Sequence, residues 1–270
     1  MAKSIESLGA SLGSMRIYSG KISKEFRDLY RDYAIGFGQL LKRNAIQACY
    51  HLCTHCYADS FLQLSADERS QLQAELKQAI TDATTSIVSL LTMPIADFIK
   101  MQLASMMEDK IHEGAIVIDD SPEALFHWHS ALEDTIEESL QELSKQLNSI
   151  LHGKHILPAK LPKFLLEASD EVEERTDAER DLPNIAIALE RRKDDEMDED
   201  DRFQGISRIY TIYLRRLQIE FGNAQVMHLR REIDRLSQDV YRLRRDYHKK
   251  ERELQVAAAE SAWRSSWFDE

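Results

Sequence analysis

The densest group of chemically capable side chains is Cys49, His51, Cys53, His55 and Cys56, all within eight residues. Thiolate and imidazole are zinc ligands, and four of the five could close a tetrahedron. The spacing works against that use. On a helix, Cys49, Cys53 and Cys56 share a face with Ile46, while His51 and His55 project elsewhere. A structural zinc site also takes a second ligand pair from a distant element, and no second CxxC or HxxxH group follows. The reading is three buried cysteines acting as small hydrophobes beside two surface histidines, with no metal and no cofactor.

The remaining chemistry-bearing residues give no catalytic constellation. His127 and His129 flank Trp128, but two positions apart on a helix they point to different sides and cannot chelate. Trp128 itself reads as core. His112, His152 and His155 stand near expected helix ends, where imidazolium suits the dipole. Gly20-Lys21-Ile22-Ser23 lacks the upstream glycine and the Lys-Ser pair of a phosphate-binding loop, and no GxGxxG, HExxH or GxSxG occurs. Met101, Met106 and Met107 read as gap-filling core. The expectation is a protein that is not an enzyme.

Two surfaces could instead meet a partner. Between Ile206 and Val256 there are 12 Lys or Arg against 7 Asp or Glu, a local net of +5. Arg242, Arg244 and Arg245 belong to this set, and something acidic is their natural counterpart: the chain's own acidic segment, an acidic protein or nucleic acid. The second surface is Trp263, Trp267 and Phe268, in a segment holding two of the chain's 3 tryptophans. Large aromatics near a chain end are either folded back onto the protein or interface anchors.

The elements that carry these residues are almost all helical. Phe26, Leu29, Tyr30, Tyr33 and Phe37 recur at spacings of three and four, with Gly36 and Gly38 expected to weaken or kink that helix. Ser65 and Glu68 form a capping box before a second helix carrying Leu72, Leu76, Ile80 and Ile87. Pro94 opens a third helix. Ser121-Pro122-Glu123 gives a cap, a first-turn proline and an early carboxylate for a fourth, which runs to Gly153. Ala115 to Ile118 is the one stretch expected to be extended.

Beyond residue 152 the character changes. Pro158, Pro162 and Pro183 break up this section, and from Glu167 to Asp201 there are 16 Asp or Glu against 5 Lys or Arg, a local net of −11. Like charges at this density extend a chain, so 153–205 reads as an acidic linker in which Leu182 to Leu189 is an apolar island. After Gly205, Ile212, Ile219, Val226, Ile233, Val240, Tyr247 and Leu254 fall every seven residues. Leu229, Leu236 and Leu243 follow the central members by three. This is an a/d heptad, and β-branched residues at a with leucine at d favour a parallel two-stranded homodimer.

The fold expected is therefore all-α: a loosely ordered arm over 1–21, a bundle of about four helices over 22–152, the acidic linker, a coiled-coil helix over 206–258 and an aromatic tail over 259–270. Only 9 Gly and 5 Pro in 270 residues agree with long helices and few corners. The formal charge of −12 disfavours a general nucleic-acid binder. Three clustered cysteines without a secretory leader point to the cytoplasm, and the apolar run Ile87 to Ile99 is too interrupted to span a bilayer. Together these features point to an adaptor or scaffold that self-associates and binds protein partners. The competing reading is a regulatory protein that uses its basic helix on nucleic acid.

Overall fold

The computed structural model describes residues 5–106, 121–158, 183–191 and 206–267. The expected strand Ala115–Ile118, the block Asp194 to Asp201, His112, Met107 and Phe268 lie outside the described residues. The chain is mostly helical. Helix α1 runs Ile5–His51 and passes into a π-helical turn, Leu52–Cys56. There follow α2 (Ala58–Gln63), α3 (Ala66–Thr92), α4 (Ile95–Met106) and α5 (Pro122–Gly153). Strands β1 (Ile185–Arg191) and β2 (Ile206–Ile212) then pair, before a short α6 (Arg216–Glu220) and the long α7 (Ala224–Trp267).

The helix starts have identifiable chemical causes. The Ser65 hydroxyl accepts from the Glu68 N–H at 3.3 Å while the Glu68 carboxylate accepts from the Ser65 N–H at 2.8 Å, a reciprocal capping box. The Ser121 hydroxyl accepts from the Ala124 N–H at 3.2 Å, ahead of a proline that has no N–H to satisfy. Asn223 does the same for α7, its side-chain oxygen accepting from Gln225 and Val226.

Two compact units divide the chain. The first comprises Met1–Ala34, Ser89–Asp134 and Met227–Glu270; the second comprises Ile35–Val88 and Thr135–Val226. In the first unit, α1 contributes Leu8, Leu12, Ser19, Ile22, Phe26 and Tyr30 to a buried stripe at spacings of three, four and seven. Phe26 and Tyr30 meet Trp128 of α5 edge-on, each at 5.8 Å between ring centroids. The expectation that 1–21 is a loose arm is corrected for residues 5–21, because burial of Leu8 and Leu12 outweighs the poor helix propensity of the glycines. A Cβ at Gly9, Gly13 or Gly20 would meet nothing within 4 Å, so those glycines face outward.

In the second unit, Phe37, Leu41 and Leu52 are buried, as are Leu72 and Ile80 of α3 and Ile136, Leu140 and Leu147 of α5. Gly36 and Gly38 neither break nor end α1. They leave room for neighbours: a Cβ at Gly36 would stand 2.6 Å from Val226 Cγ2, and one at Gly38 would stand 2.7 Å from Val88 Cγ2.

The unexpected element is the sheet. β1 and β2 are antiparallel, with Ile185 opposite Ile212 and Arg191 opposite Ile206. The all-α expectation thus narrows to mostly helical with a two-stranded sheet. The supposed linker supplies β1, and the supposed start of the coiled-coil helix is β2. A two-stranded sheet has exposed edges and is marginal alone. Here side chains cover one edge of β2. The Tyr57 hydroxyl accepts from the Tyr210 N–H at 2.9 Å and donates to its carbonyl at 3.2 Å. The Asn148 amide donates to the Ile212 carbonyl at 2.9 Å and accepts its N–H at 2.8 Å. The Ser144 hydroxyl, one turn earlier on α5, accepts the Leu214 N–H at 2.9 Å. Asn184 starts β1 in the left-handed region, φ 62°, which asparagine tolerates better than most residues.

Candidate protein-contact surface

The heptad residues are the first candidates to place. Ile219, Val226, Ile233, Leu236, Val240, Leu243 and Tyr247 are all buried within this one chain, Ile233 completely; Leu229 is half-buried. In the first unit the seam of α7 faces α1 and α5. The Tyr247 hydroxyl accepts from Arg16 Nε of α1 at 2.9 Å, and Phe126 of α5 stands 6.5 Å from Tyr241 between centroids. The seven-residue repeat therefore serves intramolecular packing. A parallel dimer through the same seam would have to displace α1 and α5 from it.

Two polar clusters flank this packing, and neither was evident in the sequence. The Arg230 guanidinium meets both carboxylate oxygens of Glu133, at 2.8 and 2.7 Å, and the Tyr30 hydroxyl donates to the same carboxylate at 2.5 Å. Burial opposes the Arg230 charge, but the Glu133 hydrogen bonds and the charges of Glu133 and Asp234 outweigh it and raise the guanidinium pKa further. At the start of α5, Glu123 gathers Arg244 Nε at 2.5 Å, His248 Nε2 at 2.6 Å and His127 Nε2 at 2.6 Å. Partial burial alone would raise the Glu123 carboxyl pKa; the bonds from Arg244 and His248, the Arg244 charge and His127 hold it down at about 2. The Arg244 guanidinium also lies over the Phe126 ring at 4.2 Å.

The basic residues singled out for a partner thus have separate fates. Arg244 is engaged with Glu123. Arg242 and Arg245 are exposed but stand 3.7 Å from Asp239 and Asp246. Arg235 pairs with Glu232. Arg231, Arg235, Arg242, Arg245, Lys249 and Arg252 are nonetheless exposed at helical spacing on one face of α7, with Glu232, Asp239 and Asp246 beside it.

The tryptophans are different. α7 continues past the expected end of the coiled coil to Trp267, so the supposed tail is helix. Trp263 and Trp267 are 65% and 69% exposed and stack on each other, centroids 5.5 Å apart at 21° between planes. Lys249, Arg252, Val256, Glu260, Trp263 and Trp267 recur every three or four residues and so share one helix face. Beside that face, Leu8 of α1 and Val256 and Ala257 of α7 line a groove of about 500 Å³, rimmed by Lys249, Arg252, Glu253 and Glu260.

The cysteine cluster carries no evident chemistry of its own. Cys49 and Cys53 are buried and Cys56 is half-buried; all three are free thiols. Burial first, and the neighbouring thiol second, push Cys49 up to about 12 and Cys53 up to about 11. Such thiols stay protonated at neutral pH and are poor nucleophiles and ligands. His51 and His55 lie 5.0 Å apart between ring centroids, each also against Tyr50. Among the described residues no group of three or more His, Cys, Asp or Glu is disposed to hold a metal ion. No single described helix is long and apolar enough to cross a membrane. Comparison of the chain with protein-family models, with curated proteins and with solved structures finds no match.

Proposed function

We propose that the protein is a non-catalytic adaptor that binds proteins through the exposed end of α7, and that one protein it binds there is a second copy of itself. The observation that carries this reading is the Trp263–Trp267 stack, two indoles with most of their surface in water on a helix that is well formed. Exposed aromatic area of this kind is costly in solution and is what interface centres are built from.

A second copy suits the face chemically. Laid antiparallel and centred near Ala258, it sets each Trp263 against Arg252 and each Trp267 against Lys249. Four cation–π contacts then form across a two-fold axis. The four indoles supply roughly a third of a standard interface, so the affinity expected is modest, on the order of micromolar. Self-association thereby moves from the heptad seam, which the chain itself fills, to the outer face of the same helix. A reducing compartment such as the cytoplasm fits three free thiols.

Sedimentation velocity on the full chain tests this. Expected is a reversible monomer–dimer equilibrium at about 1–100 μM, abolished in Trp263→Ala/Trp267→Ala with helix content unchanged. A wild-type chain that stays monomeric through that range, or a double variant that dimerises equally well, would overturn the reading.

A further inference from the structure

A cleft of about 450 Å³ opens between the end of α1, its π-helical turn and α3. Its floor is apolar and buried: Cys49, Cys53, Leu72, Leu76 and Ile80. Ile46 and Tyr50 stand exposed at its mouth. The wider π turn carries Cys53 and Thr54 into the lining, and the Thr54 hydroxyl is satisfied by the Tyr50 carbonyl at 2.7 Å. Thiols that are protonated and polarizable add to the apolar wall rather than interrupt it.

One charge lines the cleft, Lys77, and no carboxylate does. Lys77 is exposed and has no ion-pair partner among the described residues. Gln73, one turn earlier on α3, lies on the same side and adds an amide donor. An apolar chamber with a lone ammonium at its edge is complementary to a molecule with an apolar body and a single anionic head. The volume is that of a small-molecule site rather than of a groove for a protein helix.

We propose that this cleft binds a small anionic amphiphile of the fatty-acid class. Its alkyl body, roughly ten to twelve carbons at this volume, lies against Leu72, Leu76, Ile80 and the two thiols. Its carboxylate accepts from the Lys77 ammonium and the Gln73 amide. Binding shields Cys49 and Cys53 from thiol reagents and leaves the fold unchanged.

Dodecanoate is the probe, with 1-dodecanol and dodecyltrimethylammonium as head-group controls, all below their micellar concentrations. Calorimetry on the full chain should give one dodecanoate per chain and weaker binding of both controls. Lys77→Met, at an exposed position, should weaken dodecanoate by roughly fivefold, the value of one partly exposed ion pair, and leave dodecanol within about twofold. Ile46→Trp, which closes the mouth from the surface, should abolish binding with helix content intact. Independently of any variant, an aromatic disulfide reagent at alkaline pH, where a fraction of the thiols is ionised, should label Cys49 and Cys53 several times more slowly with dodecanoate present. No saturable binding, equal affinity for the cationic amphiphile, or labelling rates unmoved by dodecanoate would each overturn the assignment.

Discussion

At the scale of single residues, Glu123 shows what a linear reading can and cannot reach. Its place after Ser121 and Pro122 announces a helix start, and that is where it stands. Its partners Arg244 and His248 lie 121 and 125 residues away, and no local pattern links them. The cysteines were legible as buried apolar groups because they repeat at helical spacing, but the cleft they line needs α3, whose approach the spacing does not encode. Glu123 carries a pH prediction. Its carboxyl ionises at about 2 in the folded chain against an ordinary 4.5. A depressed carboxyl stabilises the fold fully above its unfolded value and loses that contribution as pH falls toward the folded one. Glu123→Gln should therefore cost about 1–2 kcal/mol at pH 7. The difference between wild type and variant in urea unfolding should shrink between pH 4.5 and 2. A difference that is constant across that window would mean the Arg244 and His248 contacts do not govern the carboxyl.

At the scale of elements, the helices were legible and the sheet was not. Apolar residues every three or four positions, with Ser65/Glu68 and Ser121/Pro122 at the starts, mark α3 and α5 directly. β1 and β2 carried a signal too, since Ile185, Ile187 and Leu189 alternate and Ile206 to Ile212 is rich in Ile, Tyr and Thr. The acidic surroundings of the one and the heptad register of the other hid it. What makes the pair viable is Asn148, fully buried on α5 and bonded to both backbone groups of Ile212. Asn148→Leu leaves that N–H and carbonyl unpaired, so we expect a loss of about 2–5 kcal/mol and faster amide exchange at Ile212. Gly36 gives a second test at this scale. An added methyl meets Val226 Cγ2 at 2.6 Å, so Gly36→Ala should destabilise by about 1–2 kcal/mol despite its better helix propensity. In a Val226→Ala background the same change should become stabilising by roughly 1 kcal/mol, because only the propensity gain remains. No reversal of sign in that cycle would remove close packing as the reason for the glycine.

At the scale of the whole molecule, the heptad poses the sharpest question, because a seven-residue repeat specifies an apolar stripe and not what covers it. Ile219, Val226, Ile233, Val240 and Leu243 satisfy the pattern of a parallel dimer, yet all are buried within one chain. A sequence of period seven reads identically whether the opposing helix comes from a second copy or from α1 and α5 of the same chain. The two arrangements differ in what one buried substitution does. If the seam held two copies together, Ile233→Asp would yield folded monomers whose loss is repaired by raising the concentration. With the seam filled internally, the same carboxylate enters a site with no exposure at all. Buried away from water, the charge should cost about 3–5 kcal/mol of fold stability. We therefore expect Ile233→Asp to lower the thermal midpoint of the full chain by an amount independent of protein concentration. Trp263→Ala/Trp267→Ala, acting on the outer face of the same helix, should leave that midpoint nearly unchanged at low concentration and remove its concentration dependence. Calorimetric melts of wild type and both variants over about a hundredfold range of concentration separate the two faces. A gap in midpoint between wild type and Ile233→Asp that closes on concentration would return the seam to a dimer.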